Sequence, residues 1–170
     1  MTSIGEYAFN YCSSLTSITI PDSVKLKEWN LFFGCSSLTS ITIPNSVKSI
    51  GNYAFSDCDS LTSITIPGSV KSISESAFIG CGSLTSIIVD KDNKYFDSRN
   101  DCNAIIDTSE DRLIAGCVNT IIPDSVKAIA GHAFDGCSSL TSITIPNGLW
   151  TWSVRHRRQP QGGGTVRRQG

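Results

Sequence analysis

Apolar positions recur along this chain at a regular 23-residue step. The prolines at 21, 44 and 67 follow that step, and the unit reads C-x-x-L-T-S-I-T-I-P-x-S-V-K-x-I-x-x-x-A-F-x-x. Neither a helix nor a single strand has this period over its whole length. One unit cannot cover its own apolar face, so the repetition predicts that the units stack around a shared core.

Within one unit the pattern predicts a strand, a return segment and a turn. Apolar and hydroxyl side chains alternate toward the end of residues 38–43, which favours a strand, and Pro44 ends it because proline cannot donate to a ladder. Val47 and Ile50 point back into the core, and residues 53–55 predict a short helical or 3₁₀ turn. The expected fold class is a curved, strand-rich leucine-rich-repeat solenoid with a parallel β ladder and about six turns.

Two copies depart from the pattern. In the second copy Lys27 falls where Ile50 stands in the third, which predicts a distorted turn. Later in the chain, Pro123 follows Pro67 by 56 residues, whereas two units would span 46. The additional residues define an irregular insert over residues 90–122.

The insert contains the stretch CNAIIDTSEDRLIAGC, which predicts a β-hairpin with its turn at residues 108–111. Asp107 opposite Arg112 sets opposite charges across the ladder. The same register aligns Ile106 with Leu113, Ala104 with Ala115, and Cys102 with Cys117. A disulfide between Cys102 and Cys117 is possible if the protein is exported, but the sequence favours two buried free thiols.

Five of the seven cysteines share one column of the repeat. They are predicted to be small buried thiols that satisfy backbone groups, because side chains in one column run parallel and do not converge as a disulfide requires. No pair has the C-x₂₋₄-C spacing of a zinc site, so no metal is expected. The column consists of Cys12, Cys35, Cys58, Cys81 and Cys137.

The pattern I-x-x-x-A-F-x-x-C-x-x-L-x-x-I-x-I-P resembles the BspA-like, or Treponema pallidum-type, leucine-rich repeat. The resemblance covers residues 1–147, and residues 90–117 are similar to the irregular insert repeat of many bacterial members. It implies a module of a secreted or bacterial cell-surface protein, typically an adhesin. The implied partner is a protein or glycan on host or neighbouring cells, without a cofactor, nucleic acid or membrane insertion.

Charge is distributed unevenly along the chain. Five of the 14 Lys and Arg residues and no acidic residue lie from Gly148 onward, which leaves nine basic against 15 acidic residues in the rest. We therefore separate the repeat domain, residues 1–147, from a basic tail, residues 148–170, that is expected to be disordered. The alternative is a basic arm for nucleic acid or anionic lipid. No apolar run approaches the roughly 18 residues of a membrane span.

Catalytic motifs are not apparent. The single histidine of the repeat domain, His132, occupies the Tyr53 position and is expected at the surface. The acidic run at residues 90–101 has Tyr95 where a calcium-binding EF-hand loop requires glycine. We therefore expect that this protein is not an enzyme. The sequence favours an interaction module, with a structural spacer as the alternative, and open terminal units would allow self-association.

Outward positions of the predicted strands carry small hydroxyl side chains. Such a row could contact a protein or hydrogen-bond a glycan, or it could serve only solubility. We predict the partner-binding residues to be Ser17, Thr19, Ser40, Thr42, Ser63, Thr65, Ser142 and Thr144.

A second outward column is basic. It could bind polyanions, or it could protect the strand-rich surface from edge association. The column consists of Lys25, Lys48, Lys71 and Lys127.

Overall fold

The computed structural model describes residues 2–5, 7–26, 31–149, 151–152 and 165–168. No helix in these ranges is long and apolar enough to cross a bilayer. They contain one 3₁₀ segment, Arg99–Asp101, and short strands. The strands are β1 (Thr2–Ile4), β2 (Ser17–Ile18), β3 (Val24–Leu26), β4 (Ser40–Ile41), β5 (Ser49–Ile50), β6 (Ser63–Ile66), β7 (Ser72–Ile73), β8 (Ser86–Val89), β9 (Phe96–Asp97), β10 (Ala104–Asp107), β11 (Arg112–Gly116), β12 (Ala128–Ile129), β13 (Ser142–Ile145), β14 (Thr151–Trp152) and β15 (Thr165–Arg168).

Successive units pair in parallel at the predicted 23-residue step. Ser17 lies opposite Ser40 in the β2–β4 pair, and Ser63 lies opposite Ser86 in the β6–β8 pair. On the return side β5 and β7 form a second parallel pair at the same step. The sequence predicted the repeat and its register but not this second ladder.

The core is built from columns of equivalent side chains. Leu38, Leu61 and Leu84 are fully buried, one in each of three consecutive units. Beside them four phenylalanine rings stack nearly parallel, with centroid separations of 5.3, 5.6 and 5.5 Å. Offset stacking of aromatic rings adds to the free energy of burial. The stack consists of Phe9, Phe32, Phe55 and Phe78.

The aromatic turn is not helical, contrary to the prediction for residues 53–55. Single i to i−3 bonds occur, such as Ser56 N–H to Tyr53 C=O at 3.1 Å. They do not propagate into a helix because Tyr53 and Asp57 both have φ 57°, in the left-handed region. The described chain is 3₁₀-helical only at Arg99–Asp101, in the insert.

The first unit pairs with the second one position short of the usual step. Strand β1 aligns Ile4 with Leu26, whereas the usual step would place Lys27 opposite Ile4. The shift places the backbone of Leu26, in place of that of Lys27, opposite Ile4, which packs against the core. It therefore gives a physical account of the irregular second copy.

The insert forms the predicted hairpin, β10–β11, and it is buried on both faces. Ile105 packs in the core of the first four units, whereas Ile106 packs in a second, smaller core with Val126 and Ala133. The hairpin therefore separates two hydrophobic cores.

The hairpin register agrees with the prediction at its turn and then shifts. Asp107 lies opposite Arg112 and Ile106 opposite Leu113, but a bulge follows. Ile105 consequently pairs with Ala115, and Ala104 pairs with Gly116, so the predicted Ala104–Ala115 alignment is wrong.

Beyond the insert, the turn of the last repeat stacks directly on the turn of the fourth. Gly80 N–H donates to Asp135 C=O at 3.1 Å. A Cβ on Gly136 would lie 2.5 Å from both N and Cα of Gly80, and Gly136 has φ +92°. Glycine is required at this contact for both its small size and its backbone conformation.

The tail was expected to be disordered beyond about Trp152, and two short strands are described within it. Strand β14 pairs in parallel with β12, and β15 pairs in parallel with β13, both at the 23-residue step. For β14 and β15 only the backbone is described. Residue 150 and residues 153–164 and 169–170 lie outside the described ranges, so the expectation of disorder remains untested there.

Replacing Gly136 by alanine should destabilise the fold more than replacing Gly148 does. Both have positive φ, which costs about 1–2 kcal/mol for a residue with a Cβ, but a Cβ at Gly148 would have no atom of the described residues within 4 Å. The clash at Gly136 adds roughly 1–3 kcal/mol. Urea unfolding of Gly136→Ala and Gly148→Ala measures the difference, and equal losses would contradict the close contact.

Candidate functional site

The strand face is the surface formed by the outward side chains of β2, β4, β6, β8 and β13 and of residues 119–122. All eight Ser and Thr residues predicted to face outward are exposed. Their exposure follows from the alternation of the strands, since the isoleucines between them point into the core. Within the described residues, none of these eight hydroxyl groups makes a hydrogen bond to the rest of the chain.

A neighbouring column of threonines behaves differently. The Oγ1 atoms of Thr39, Thr62 and Thr85 donate to the carbonyl of the equivalent threonine one unit earlier, at 3.1, 3.3 and 3.1 Å. The backbone N–H groups of the same residues donate to the same carbonyls. One hydroxyl column thus holds the units together, while the strand-face hydroxyls remain available for a ligand.

Two isoleucines interrupt the hydroxyl column of the strand face. Ile88 lies opposite Thr65 in the β6–β8 pair and is 52% exposed. Ile121 occupies the equivalent position before Pro123 and is 73% exposed. The sequence prediction of the site missed both, although alignment of the columns would have shown isoleucine at an outward position.

Ile121 borders a crevice of about 530 Å³ on the strand face. Residues 117–123 contribute a layer on this side, and Val118 N–H donates to Leu84 C=O at 3.3 Å. On the opposite side Gly80 and Gly136 bring the fourth and last units into direct contact. The layers therefore diverge toward the strand face. The crevice is lined by Asn100, residues 120–124, Ser142, Ile143, Thr144 and Pro146.

The lysine column is only partly available to a polyanion. Lys48 and Lys71 are exposed and lie in adjacent units, with Lys71 N–H bonded to Lys48 C=O at 2.8 Å. Lys127 instead pairs through Nζ with Asp111 Oδ2 at 2.8 Å. The side chain of Lys25 lies outside the described residues.

Asp111 binds the insert to the repeat. Besides Lys127, it accepts a hydrogen bond from Arg99 Nη1 at 2.9 Å. These two cations, Lys127 first, lower the pKa of the Asp111 carboxyl. Lys127 is therefore held in an ion pair with Asp111. The sequence did not predict this pair, because Asp111 lies in the hairpin turn of the insert, outside the repeat pattern.

Cys102 and Cys117 do not face each other. Both are free thiols, and the bulge removes the shared register on which the predicted pairing rested. Cys102 packs in the smaller core and Cys117 in the larger one. The Sγ of Cys117 lies 3.4 Å from Asn103 C=O. The alignment of these two cysteines across the hairpin was therefore wrong.

Three members of the cysteine column have the predicted role, whereas Cys12 and Cys137 are only half-buried. The thiols of Cys35, Cys58 and Cys81 donate to the phenylalanine carbonyl one unit earlier, at 3.0, 3.3 and 3.1 Å. Burial raises the pKa of Cys81 to about 12, and it raises the pKa of Cys137 to about 11. Both thiols are therefore neutral at physiological pH.

No catalytic arrangement forms around His132. Its side chain is exposed, and Nδ1 lies 3.2 Å from Asp135 Oδ2. No group of three metal-ligating side chains occurs in the part of the chain that the structure describes.

In the acidic run of the insert, Asn93 is buried, and its amide donates to Pro67 C=O and Val70 C=O at 2.9 and 3.0 Å. Asn93 thereby anchors the insert to the preceding unit.

A protein family described as BspA type leucine rich repeat region matches this chain in six copies, over residues 1–103 and 115–154. The second range includes the first residues of the tail. No curated protein matches the chain.

Solved structures with a similar fold come from several bacteria. A leucine-rich repeat protein from Eubacterium ventriosum is 25% identical with a TM-score of 0.68, over 87% of this chain and 46% of that one. A leucine rich cell surface protein from Faecalibacterium prausnitzii is 31% identical with a TM-score of 0.60, over 84% and 45%. The T. pallidum leucine rich repeat protein is 26% identical with a TM-score of 0.50, over 85% and 52%. The chain thus spans about half the length of each.

The buried thiols predict a loss of stability in alkali. The pKa of the Cys81 thiol is higher in the folded chain than in the unfolded chain, so the unfolded chain loses its proton first as pH rises. The contribution of the neutral thiol to stability is therefore complete below about pH 8.5 and is lost as pH rises toward 12. For Cys81 the loss is about 1.4 kcal/mol per pH unit between these two values. Urea unfolding at about pH 7, 9 and 11 should therefore show a shallower decline for Cys81→Ala than for the wild type. Parallel declines would contradict the neutral buried thiol.

Proposed function

Because this chain belongs to the BspA-type leucine-rich-repeat family, we propose that it is a non-enzymatic interaction module that binds a protein or glycan partner through its strand face. The single observation that supports this most is the strand face itself. Eight exposed hydroxyl side chains lie in register without a hydrogen bond to the described chain, and two exposed isoleucines share their column. The proposal includes a curved solenoid of about six turns that presents this face.

The chemistry of the face suits a broad contact. The centre of a protein interface is usually more apolar than its rim, and charged residues are depleted there. Ile88 and Ile121 provide apolar side chains, and covering the exposed part of each would contribute about 1–2 kcal/mol. The surrounding hydroxyl groups can pair with a partner without a large cost of desolvating charge.

We place the module outside the cell, on a bacterial surface or in a secreted protein. The Faecalibacterium prausnitzii relative is described as a cell surface protein, and it is 31% identical. The solved chains are about twice as long as the region that this chain matches. The partner and the anchoring of the whole protein are therefore part of this proposal. A spacer that binds nothing is the alternative from a different class.

Arginine on the strand face should weaken partner binding. We expect Thr42→Arg and Thr65→Arg to weaken binding to immobilised extracellular-matrix proteins at least tenfold, because each places a long charged side chain in the middle of the contact. Surface plasmon resonance measures this. Ser13→Arg, at an exposed position in the loop before β2, serves as the control. Binding that survives both changes contradicts the face, and no binding by the wild type supports the spacer.

A polyanion site is the second candidate, and it now rests on Lys48 and Lys71, which are exposed in adjacent units. The double variant Lys48→Ala/Lys71→Ala should lose binding to a heparin column, and wild-type retention should fall steeply with added salt. Retention that is the same in the variant, or that ignores salt, would remove this candidate.

A further inference from the structure

The crevice beside Ile121 exposes one edge of a strand. Strand β13 pairs with β15 one step later along the repeat, and in the described ranges no strand pairs with its other edge. That edge borders the crevice, since Ser142, Ile143 and Thr144 all line it. A strand edge carries unpaired N–H and C=O groups that can pair with another chain.

The opposite wall cannot supply the missing strand. Residues 120–123 have no strand conformation, although they occupy the place of the equivalent strand in the preceding unit. Ile121 N–H donates instead to Cys102 C=O at 3.0 Å, and Pro123 has no N–H. The insert thus draws this segment away from β13 and leaves a gap between two layers that pair elsewhere in the repeat.

The walls of the crevice are suited to an uncharged extended peptide. Ile121 is highly exposed on one side, and the half-buried Ile143 lies on the other between the exposed hydroxyls of Ser142 and Thr144. Among the described residues of the lining, Asp124 is the one with an ionisable side chain. A peptide that alternates apolar and hydroxyl residues would match this surface on its side chains as well as on its backbone.

We propose that the crevice binds one extended segment of a partner protein, which adds to the free edge of β13 as a strand. This inference rests on the proposed interaction function and names the part of the partner that is recognised. Strand addition gains affinity from main-chain hydrogen bonds and specificity from alternate side chains. The volume of about 530 Å³ lies within the roughly 300–1,000 Å³ of ligand sites. Four residues of β13 at about 3.4 Å each set the paired length.

The probe is a labelled peptide with the sequence Ac-LTSITIP-NH₂, which copies residues 61–67 of this chain. These residues include β6, a strand that already pairs within the repeat. The matched control peptide is N-methylated at the positions of Ile64 and Thr65, so that it keeps the side chains but loses two adjacent main-chain donors. Fluorescence anisotropy with the full chain should show saturable binding of the first peptide and at least tenfold weaker binding of the second.

Two variants test whether the peptide binds in the crevice. Ile121→Glu should weaken binding of the probe at least tenfold, whereas Tyr95→Glu should change it less than twofold, because Tyr95 is an exposed aromatic that does not line the crevice. Circular dichroism and urea unfolding check that both variants fold. The proposal is overturned by absence of saturable binding at millimolar peptide, by equal binding of both peptides, or by an unchanged affinity in Ile121→Glu.

Other outcomes distinguish this inference from the proposed function. Sedimentation of the chain without peptide tests for a second copy in the crevice, and a dimer that Ile121→Glu dissociates would overturn the assignment to a partner protein. Failure of the peptide experiment with intact matrix binding would overturn the crevice alone. Loss of matrix binding in Thr42→Arg with intact peptide binding would support the face and the crevice independently.

Discussion

The structure depends on the backbone carbonyls of each layer finding donors in the layer that follows. At the threonine column, the backbone N–H and the side-chain hydroxyl of one residue serve the same carbonyl one unit back. At the cysteine column, a thiol serves the phenylalanine carbonyl. Both columns therefore require a small side chain with a donor. The outward columns face no such requirement.

The period of the sequence was enough to predict most of this arrangement. The outward positions of the strand face, the buried leucines and the role of the cysteines all followed from which residues recur at the 23-residue step. Repetition makes such predictions secure, because an error in one unit would contradict its neighbours. It also means that predictions weaken wherever the repetition stops.

The errors lie where the repetition fails. The charge pair Asp107–Arg112 set the hairpin register correctly at its turn, but nothing in the sequence marked the bulge that follows. The tail has lost the apolar pattern, so the pairing of β14 and β15 was not foreseen. Ile88 and Ile121 were overlooked because an isoleucine in a strand pattern is normally read as core. The crevice could not be read from the sequence, since it results from layers that meet at Gly80 and Gly136 and diverge elsewhere.

The double-sided hairpin has a consequence for how such a chain can change in the course of evolution. Its two faces close two separate hydrophobic interiors, with Ile105 on one side and Ile106 on the other. A duplication or deletion of whole units at either end of the array leaves the hairpin and the contact of Gly80 with Gly136 in place. The length of the array can therefore drift at its ends without a compensating mutation at the insert.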